Sequence, residues 1–283
     1  MKRTQNFVNN KPTLYLIATP IGNLSEFTPR AIEILKEADY VGCEDTRNSK
    51  ILFDHFGIST TLISCHEHNE NEASEQLISY LLNGKNVCYV SDAGYPGISD
   101  PGSRLVKKAL DKDINVSVIN GSSAFLTALV ASGLETDHFY FHGFLASKES
   151  QRENELKEMI NRKETLIFYE SPHRIMKTLV SMQKIFGNRK ICLCRELTKK
   201  FEEYIRGTLD ELVTLDENTL KGEMVVIVEG NKDEISSFVS DEEIMAYVNS
   251  LTEVGLSTKD AIKNASSTLK VNKNYIYKLF HTN

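Results

Sequence analysis

The stretch Val87–Ser103, VCYVSDAGYPGISDPGS, limits the possible folds more than any other part of the chain. Its four apolar or β-favouring residues, Val87 to Val90, fit a parallel strand covered on both faces. Gly94, Pro96, Gly97, Pro101 and Gly102 forbid regular structure directly afterwards. Asp92 is thus presented at the carboxyl end of a buried strand. In open α/β sheets ligands bind outside that edge, and closely spaced glycines let backbone N–H and C=O groups approach them without an intervening Cβ. A second acid-led turn, Asp-Pro-Gly at 100–102, so soon after Asp-Ala-Gly at 92–94, favours a binding loop over a long surface turn.

The neighbouring segments complete a βαβ succession. Leu14 to Ala18 form a first strand, followed by the turn TPIGNL with Pro20 and Gly22. Neither the G-x-G-x-x-G fingerprint nor a P-loop is present, which excludes the usual NAD and ATP sites. Thr28 caps a helix with Pro29 at its first position, and Ala31, Leu35 and Ala38 give its buried stripe. The strand Tyr40–Cys43 runs into Glu44-Asp45-Thr46-Arg47. That charged knot reads equally well as a salt-bridged helix cap and as part of a site on the same edge as Asp92. A short strand near Leu62 and Ile63, a helix ended by Gly84, another faced by Leu105 and Ala109, and the strand Asn115–Ile119 follow. Such a succession implies a parallel sheet with right-handed crossovers. Gly121-Ser122-Ser123-Ala124 then opens a helix, offering free N–H groups and two hydroxyls to a carboxylate, phosphate or ribose; a plain serine cap explains it as well.

The second half restarts with FYFHGF at 139–144, a charged helix from Glu149 to Arg162 and the strand TLIFYE at 165–170. Ser171-Pro172 is expected to cap the next helix, leaving His173 and Arg174 in its exposed first turn. Two potential cations at a helix start call for an anionic partner. The strand Lys190–Cys194 leads into Arg195-Glu196-Leu197-Thr198-Lys199-Lys200, and Tyr204–Gly207 with Met224–Val228 completes the sheet. From Asp241 three short helices are expected, with a break around Leu269 to Asn272. Their lysines permit a helix-turn-helix reading as readily as a plain helical tail.

At 283 residues, with 41% hydrophobic and 25% charged residues, the chain is an ordinary globular protein with room for about two domains. The apolar run near the N-terminus is broken by Thr19, Pro20 and Gly22, so neither a signal peptide nor a membrane span is expected and the cytoplasm is the expected compartment. Five cysteines without C-x-x-C spacing point to reduced core thiols. His66 and His68 lack a second ligand pair, and no metal is expected. The net charge of −6 is unevenly spread: 14 Lys and Arg face 9 Glu between Lys148 and Arg206, whereas six acids and no base lie between Asp233 and Glu253. A basic face on an acidic protein is one outcome of that pattern, and solvated charge is the other.

TPIGNL, CEDTR, VSDAGYPGISDPG, the Gly-Ser-Ser turn, FYESPHR and CRELTKKFEE, in that order, closely resemble the ribosomal RNA small subunit methyltransferase I family, a branch of the tetrapyrrole methylases. The resemblance spans roughly residues 13 to 230. It implies the two-lobed α/β fold of class III methyltransferases with a small C-terminal helical domain, divided as 13–122, 123–232 and 238–283. It also implies S-adenosylmethionine-dependent 2′-O-methylation of a cytidine ribose in the decoding region of 16S rRNA, by a homodimer acting on the small ribosomal subunit without a membrane. On that resemblance Pro20, Gly22, Asp92, Gly94, Tyr95, Ser122, Ser123, Tyr169 and Met224 surround the cofactor.

Methyl transfer from a sulfonium needs alignment and a way to lose the ribose proton, not a general acid. Glu170, His173 and Glu196 are the candidate bases. Arg47, Arg174, Arg195, Lys199 and Lys200 are candidates for gripping RNA phosphates, with ion pairing among Arg195, Glu196 and their neighbours as the competing account. Two rivals share the motifs: a tetrapyrrole methyltransferase, and a ribosome-binding assembly factor without catalysis.

Overall fold

The alternation of short apolar runs with amphipathic segments produces two five-stranded sheets and a group of three helices. The computed structural model describes Arg3, Gln5, Val8 and residues 11–232, 240–269 and 271–282, with the side chains of residues 281 and 282 left aside. Residues 238 and 239, the expected start of the tail, and the acids Asp233 and Glu234 lie outside the described residues.

In the first sheet β1 (Thr13–Ile17), β2 (Tyr40–Cys43), β3 (Thr61–Ser64), β4 (Val87–Val90) and β5 (Asn115–Ile119) run parallel, in the order β3-β2-β4-β1-β5. Helices α1 (Pro29–Glu37), α2 (Thr46–Phe56), α3 (Glu70–Leu82) and α4 (Ser103–Asp111) form the crossovers. Alternate residues of β4 feed opposite cores. Val87 and Tyr89 pack with Leu77, Leu81 and Leu105, while Cys88 and Val90 pack with Leu35 and Phe53. Covered on both faces, the strand carries no polar residue. The helix starts are fixed locally: Thr28 accepts from the Ala31 N–H at 3.2 Å with Pro29 in first place, and Asp45 accepts from the Arg47 N–H at 2.8 Å. Because Ile17 stands in register with Val90 and Ile119, and Cys43 with Val90, the loops after β1, β2, β4 and β5 all leave at one edge.

The helix α5 (Ala124–Ser132) leads into the second sheet and lies on one of its faces, Ala128 and Leu129 against Ile167, Cys192 and Ile227. That sheet comprises β6 (Phe139–Phe144), β7 (Thr165–Glu170), β8 (Lys190–Arg195), β9 (Glu203–Thr208) and β10 (Met224–Val228), in the order β6-β7-β10-β8-β9. Only β6 and β7 are parallel neighbours; β10 inserts antiparallel between β7 and β8. Helices α6 (Glu149–Met159), α7 (Ile175–Phe186) and α8 (Leu209–Leu212) accompany the other face, where Leu156, Leu179 and Leu209 meet Phe168, Leu193 and Val226. Two helix bounds differ from those expected. α6 ends at Met159 instead of Arg162. α7 opens at Ile175, because Pro172, His173 and Arg174 form a turn in which the Ser171 carbonyl accepts from the N–H groups of Arg174 and Ile175, both at 3.1 Å.

The tail helices α9 (Asp241–Glu253), α10 (Thr258–Leu269) and α11 (Lys273–Thr282) enclose their own core of Ile244, Val248, Ala261, Ile262, Ala265 and Ile276. Ser240 and Glu243 make a reciprocal capping box at its entrance, which satisfies two backbone donors that the helix start leaves unpaired.

Candidate active site

Three loops of the first sheet are stitched together at its carboxyl edge. Thr19 and Gly94 exchange backbone hydrogen bonds of 2.9 and 3.1 Å, joining the loops after β1 and β4. The Thr19 hydroxyl donates to the Ser91 carbonyl at 3.1 Å, and the Ser91 hydroxyl to the Gly94 carbonyl at 3.0 Å. The Tyr95 hydroxyl oxygen accepts from the Gly121 N–H at 3.2 Å, tying in the loop after β5. Gly121 tolerates no side chain: a Cβ there would stand 2.8 Å from the Ala18 carbonyl oxygen. Asp92 is exposed, and its carboxylate accepts from the Asp45 N–H at 3.2 Å and the Asn48 amide at 2.8 Å. It therefore fastens the loop after β2 to the loop after β4.

The edge of the second sheet faces this assembly, and a cavity of about 310 Å³ lies between them. Gly94, Tyr95, Ile98 and Asp100 line it from the first lobe, Ser123 and Phe125 from the start of α5, and Phe144, Tyr169, Leu197 and Met224 from the second. Met224 begins β10 in register with Glu170 at the end of β7 and with Arg195 at the end of β8, so three strand ends meet at this wall. The Tyr169 ring packs against Phe141 and Phe144, with centroids 5.1 and 5.5 Å away. Burial pushes its hydroxyl up to about 12, partly offset by a hydrogen bond from the Phe125 N–H. Ser123 occupies the cap position of α5 without spending its hydroxyl on the helix.

Asp100 is an acid of this wall with an altered proton affinity. Burial first, then the charges of Glu44 and Asp92, push its carboxyl up to about 7, against a smaller opposing hydrogen bond from Ser91. Its charge in turn helps raise Tyr169. Among the described residues no cation forms an ion pair with it.

Of the residues expected around a cofactor, Gly94, Tyr95, Ser123, Tyr169 and Met224 stand in the cavity wall. Pro20, Gly22, Asp92 and Ser122 lie on the supporting loops instead. Ser122 donates to Glu26 at 2.7 Å, and Gly22, at φ +149°, is covered by the methylene stem of Lys199. Among the candidate bases, Glu170 reaches the wall but is buried: it accepts from the Ser171 N–H at 2.8 Å and the Thr178 hydroxyl at 2.6 Å, with Arg174 Nε 3.3 Å away. Glu196 Oε1 accepts from Lys199 Nζ at 3.0 Å and the Glu223 N–H at 3.2 Å. His173 is exposed in the turn before α7.

The candidate RNA contacts are also partly engaged. Arg47 pairs with Asp45 at 2.6 Å, and that guanidinium holds the Asp45 carboxyl down to about 2. Arg174 Nη2 donates to the Leu145 carbonyl at 2.5 Å. Arg195 pairs with Glu203, and Lys199 with Glu196 and Glu223, both at 3.0 Å. Lys200 is exposed and joins no ion pair among the described residues. Sequence reasoning assigned no role to Asp100, Phe125, Phe144 or Leu197. Asp-Pro-Gly so soon after Asp-Ala-Gly is a usable signal for the first; the other three are ordinary apolar residues until the lobes meet.

The family model described as Tetrapyrrole (Corrin/Porphyrin) Methylases matches residues 13–213. The chain belongs to the tetrapyrrole methylase family. Two relatives, both named ribosomal RNA small subunit methyltransferase I, place it in that branch: one from Halalkalibacterium halodurans is 47% identical and one from Bacillus subtilis 41% identical, each alignment covering 99% of both chains. Among solved structures, the methyltransferase CobJ superposes with a TM-score of 0.58 at 18% identity, covering 78% of this chain and 94% of its own. The cobalt precorrin-4 methyltransferase CbiF gives 0.55 at 17%, covering 77% and 94%. These two likenesses carry the fold alone. As a member of the family the chain is a methyltransferase whose methyl donor is S-adenosylmethionine. The cavity suits that donor: aromatic and apolar walls for a nucleoside, and the polar Ser123 and Asp100 among them for its charged end.

Proposed function

We propose that this methyltransferase methylates the ribose 2′-hydroxyl of a cytidine in the decoding region of 16S rRNA, on the small ribosomal subunit, as a cytoplasmic homodimer. The observation that carries this reading is the end-to-end similarity to the relatives named ribosomal RNA small subunit methyltransferase I. It extends over 99% of the chain and so takes in the tail, whereas the general family model stops at residue 213. The cation excess between Lys148 and Arg206 supports an anionic substrate at the second lobe. No described helix is long and apolar enough to cross a membrane. Residues 13–122 and 123–232 are the two lobes in this reading, and 238–283 the tail.

When bound, S-adenosylmethionine supplies an electrophilic methyl group and leaves as a neutral thioether. The residues around it have two tasks. Gly94, Tyr95, Ser123, Tyr169 and Met224 hold the donor in line, and positioning of that kind contributes about 7–11 kcal/mol to an acceleration. A carboxylate must then take the proton lost by the ribose oxygen as its bond to the methyl carbon forms. Asp100 is suited to that role, because it stands in the wall and exchanges a proton near neutrality. Glu170 accepts hydrogen bonds at both carboxylate oxygens, Glu196 accepts two at Oε1 and does not line this cavity, and His173 sits in an exposed turn.

Incubation with radiolabelled S-adenosylmethionine and either small ribosomal subunits or a tetrapyrrole tests the reading. Label on a cytidine ribose of 16S rRNA is the expected result. Label on a tetrapyrrole and none on RNA would assign the chain to small-molecule methylation. Tight subunit binding without label would make it an assembly factor.

A further inference from the structure

We infer that a notch behind the methyl-donor cavity, walled by Arg195, Phe201, Asn218, Thr219 and Lys221, holds an unpaired nucleotide of the RNA substrate next to the one that is methylated. The inference rests on the reading of RNA as substrate.

The notch and the donor cavity share two walls. Leu197 and Glu223 line the donor cavity, and their chain neighbours Glu196 and Gly222 line the notch. Consecutive residues of the same two segments thus line both cavities, which makes the notch the neighbouring recess to the one that holds the donor.

The chemistry of the notch fits a base with its phosphate. Phe201 is 66% exposed. A lone exposed phenylalanine is unremarkable by itself. Here its ring carries Lys200 Nζ 5.6 Å from the centroid, and neither Lys200 nor Lys221 joins an ion pair among the described residues. Arg195 is fixed by Glu203 and by the Lys221 carbonyl, which its Nη1 reaches at 3.3 Å, while nothing among the described residues accepts from its Nη2. An aromatic face beside uncompensated cations and a clamped guanidinium with spare donors is the usual platform for a single-stranded nucleotide.

The loop that presents Phe201 is held in an unfavourable shape. Glu196 and Thr198 have φ of +51° and +67°, values that non-glycine residues rarely adopt. Glu196 is pinned across Gly222 by Lys199 and the Glu223 N–H, and the Thr198 N–H donates to Glu202 at 2.7 Å. Backbone strain maintained by so many bonds concentrates at ligand-contacting sites. The product of this loop's shape is a ring directed outward beside the cleft.

Phe201→Ala, assayed with whole small subunits and radiolabelled S-adenosylmethionine, should raise KM for the subunit about tenfold, the order of one base-stacking contact. kcat at saturation and the calorimetric affinity for S-adenosylmethionine should stay at wild-type values, which also reports an intact fold. Phe201→Trp should restore KM and Phe201→Leu should not. Lys221→Ala should flatten the salt dependence of subunit binding. An unchanged KM for Phe201→Ala overturns the inference. So does equal rescue by Leu and Trp, which would point to an apolar protein contact. If the wild-type enzyme places no label on RNA, the reading of the substrate fails first and the notch falls with it; label with an unaffected Phe201→Ala variant defeats the notch alone.

Discussion

Asp92 and Asp100 share a loop and differ in what surrounds them. Asp92 is exposed and hydrogen-bonded to Asp45 and Asn48, so its work is to hold the loop after β2 against the loop after β4. Asp92→Ala should cost about tenfold or more in affinity for S-adenosylmethionine, since hydrogen bonds to a charged group contribute roughly 1.5–3 kcal/mol. Asp92→Asn, which keeps an acceptor, should lose less; an unchanged calorimetric affinity in the alanine variant would contradict this role. Asp100 is governed by burial and by Glu44 and Asp92, which bring its carboxyl from its ordinary 3.8 to about 7. Between those values the folded chain holds a proton that the unfolded chain has released. The group's contribution to stability therefore declines as pH rises from about 4 to about 7 and is level above that. Activity should run the other way, with kcat/KM climbing through about pH 7 as the carboxylate accumulates. Asp100→Asn should abolish that limb and most of the rate while raising the melting temperature at about pH 8. A variant that keeps the limb would exclude Asp100 as the proton acceptor.

At the scale of elements, the segment after β8 serves two chambers, and its two lysines are not equivalent. Lys200 is exposed beside Phe201, whereas Lys199 lies over Gly22 and pairs with Glu196 and Glu223. Lys200→Glu should weaken subunit binding and spare the donor. Lys199→Glu should weaken both, because it sets a third carboxylate beside Glu196 and Glu223 at the cavity wall; equal behaviour of the two variants in donor calorimetry would refute the distinction. Much at this scale was legible in the chain. The central strand of the first sheet announces itself because burial on both faces excludes charged and strongly polar residues from Val87–Val90. The start of α7 was not legible: Ser171-Pro172 has the composition of a helix cap, but the chain makes a turn first and the helix waits for Ile175. Asp100 is hidden for a different reason, since its altered chemistry comes first from burial and then from Glu44, on another strand's loop, and Asp92, none of which its own segment displays.

For the whole molecule, the tail is the separable part. Its core consists of residues from Ile244 to Ile276 alone, so truncation after Lys232 should leave donor affinity in calorimetry near that of the full chain. A truncated chain that no longer binds the donor would show that the tail completes the body. The body is less divisible, and the reason is the position of β10, which no hydrophobic period encodes. It is the last strand of its sheet to be made, yet it stands in the middle, and Met224 at its start forms part of the chamber. Until that strand is made, β7 and β8 lack the one partner that pairs with both, and the chamber lacks the wall that Met224 and Val225 supply.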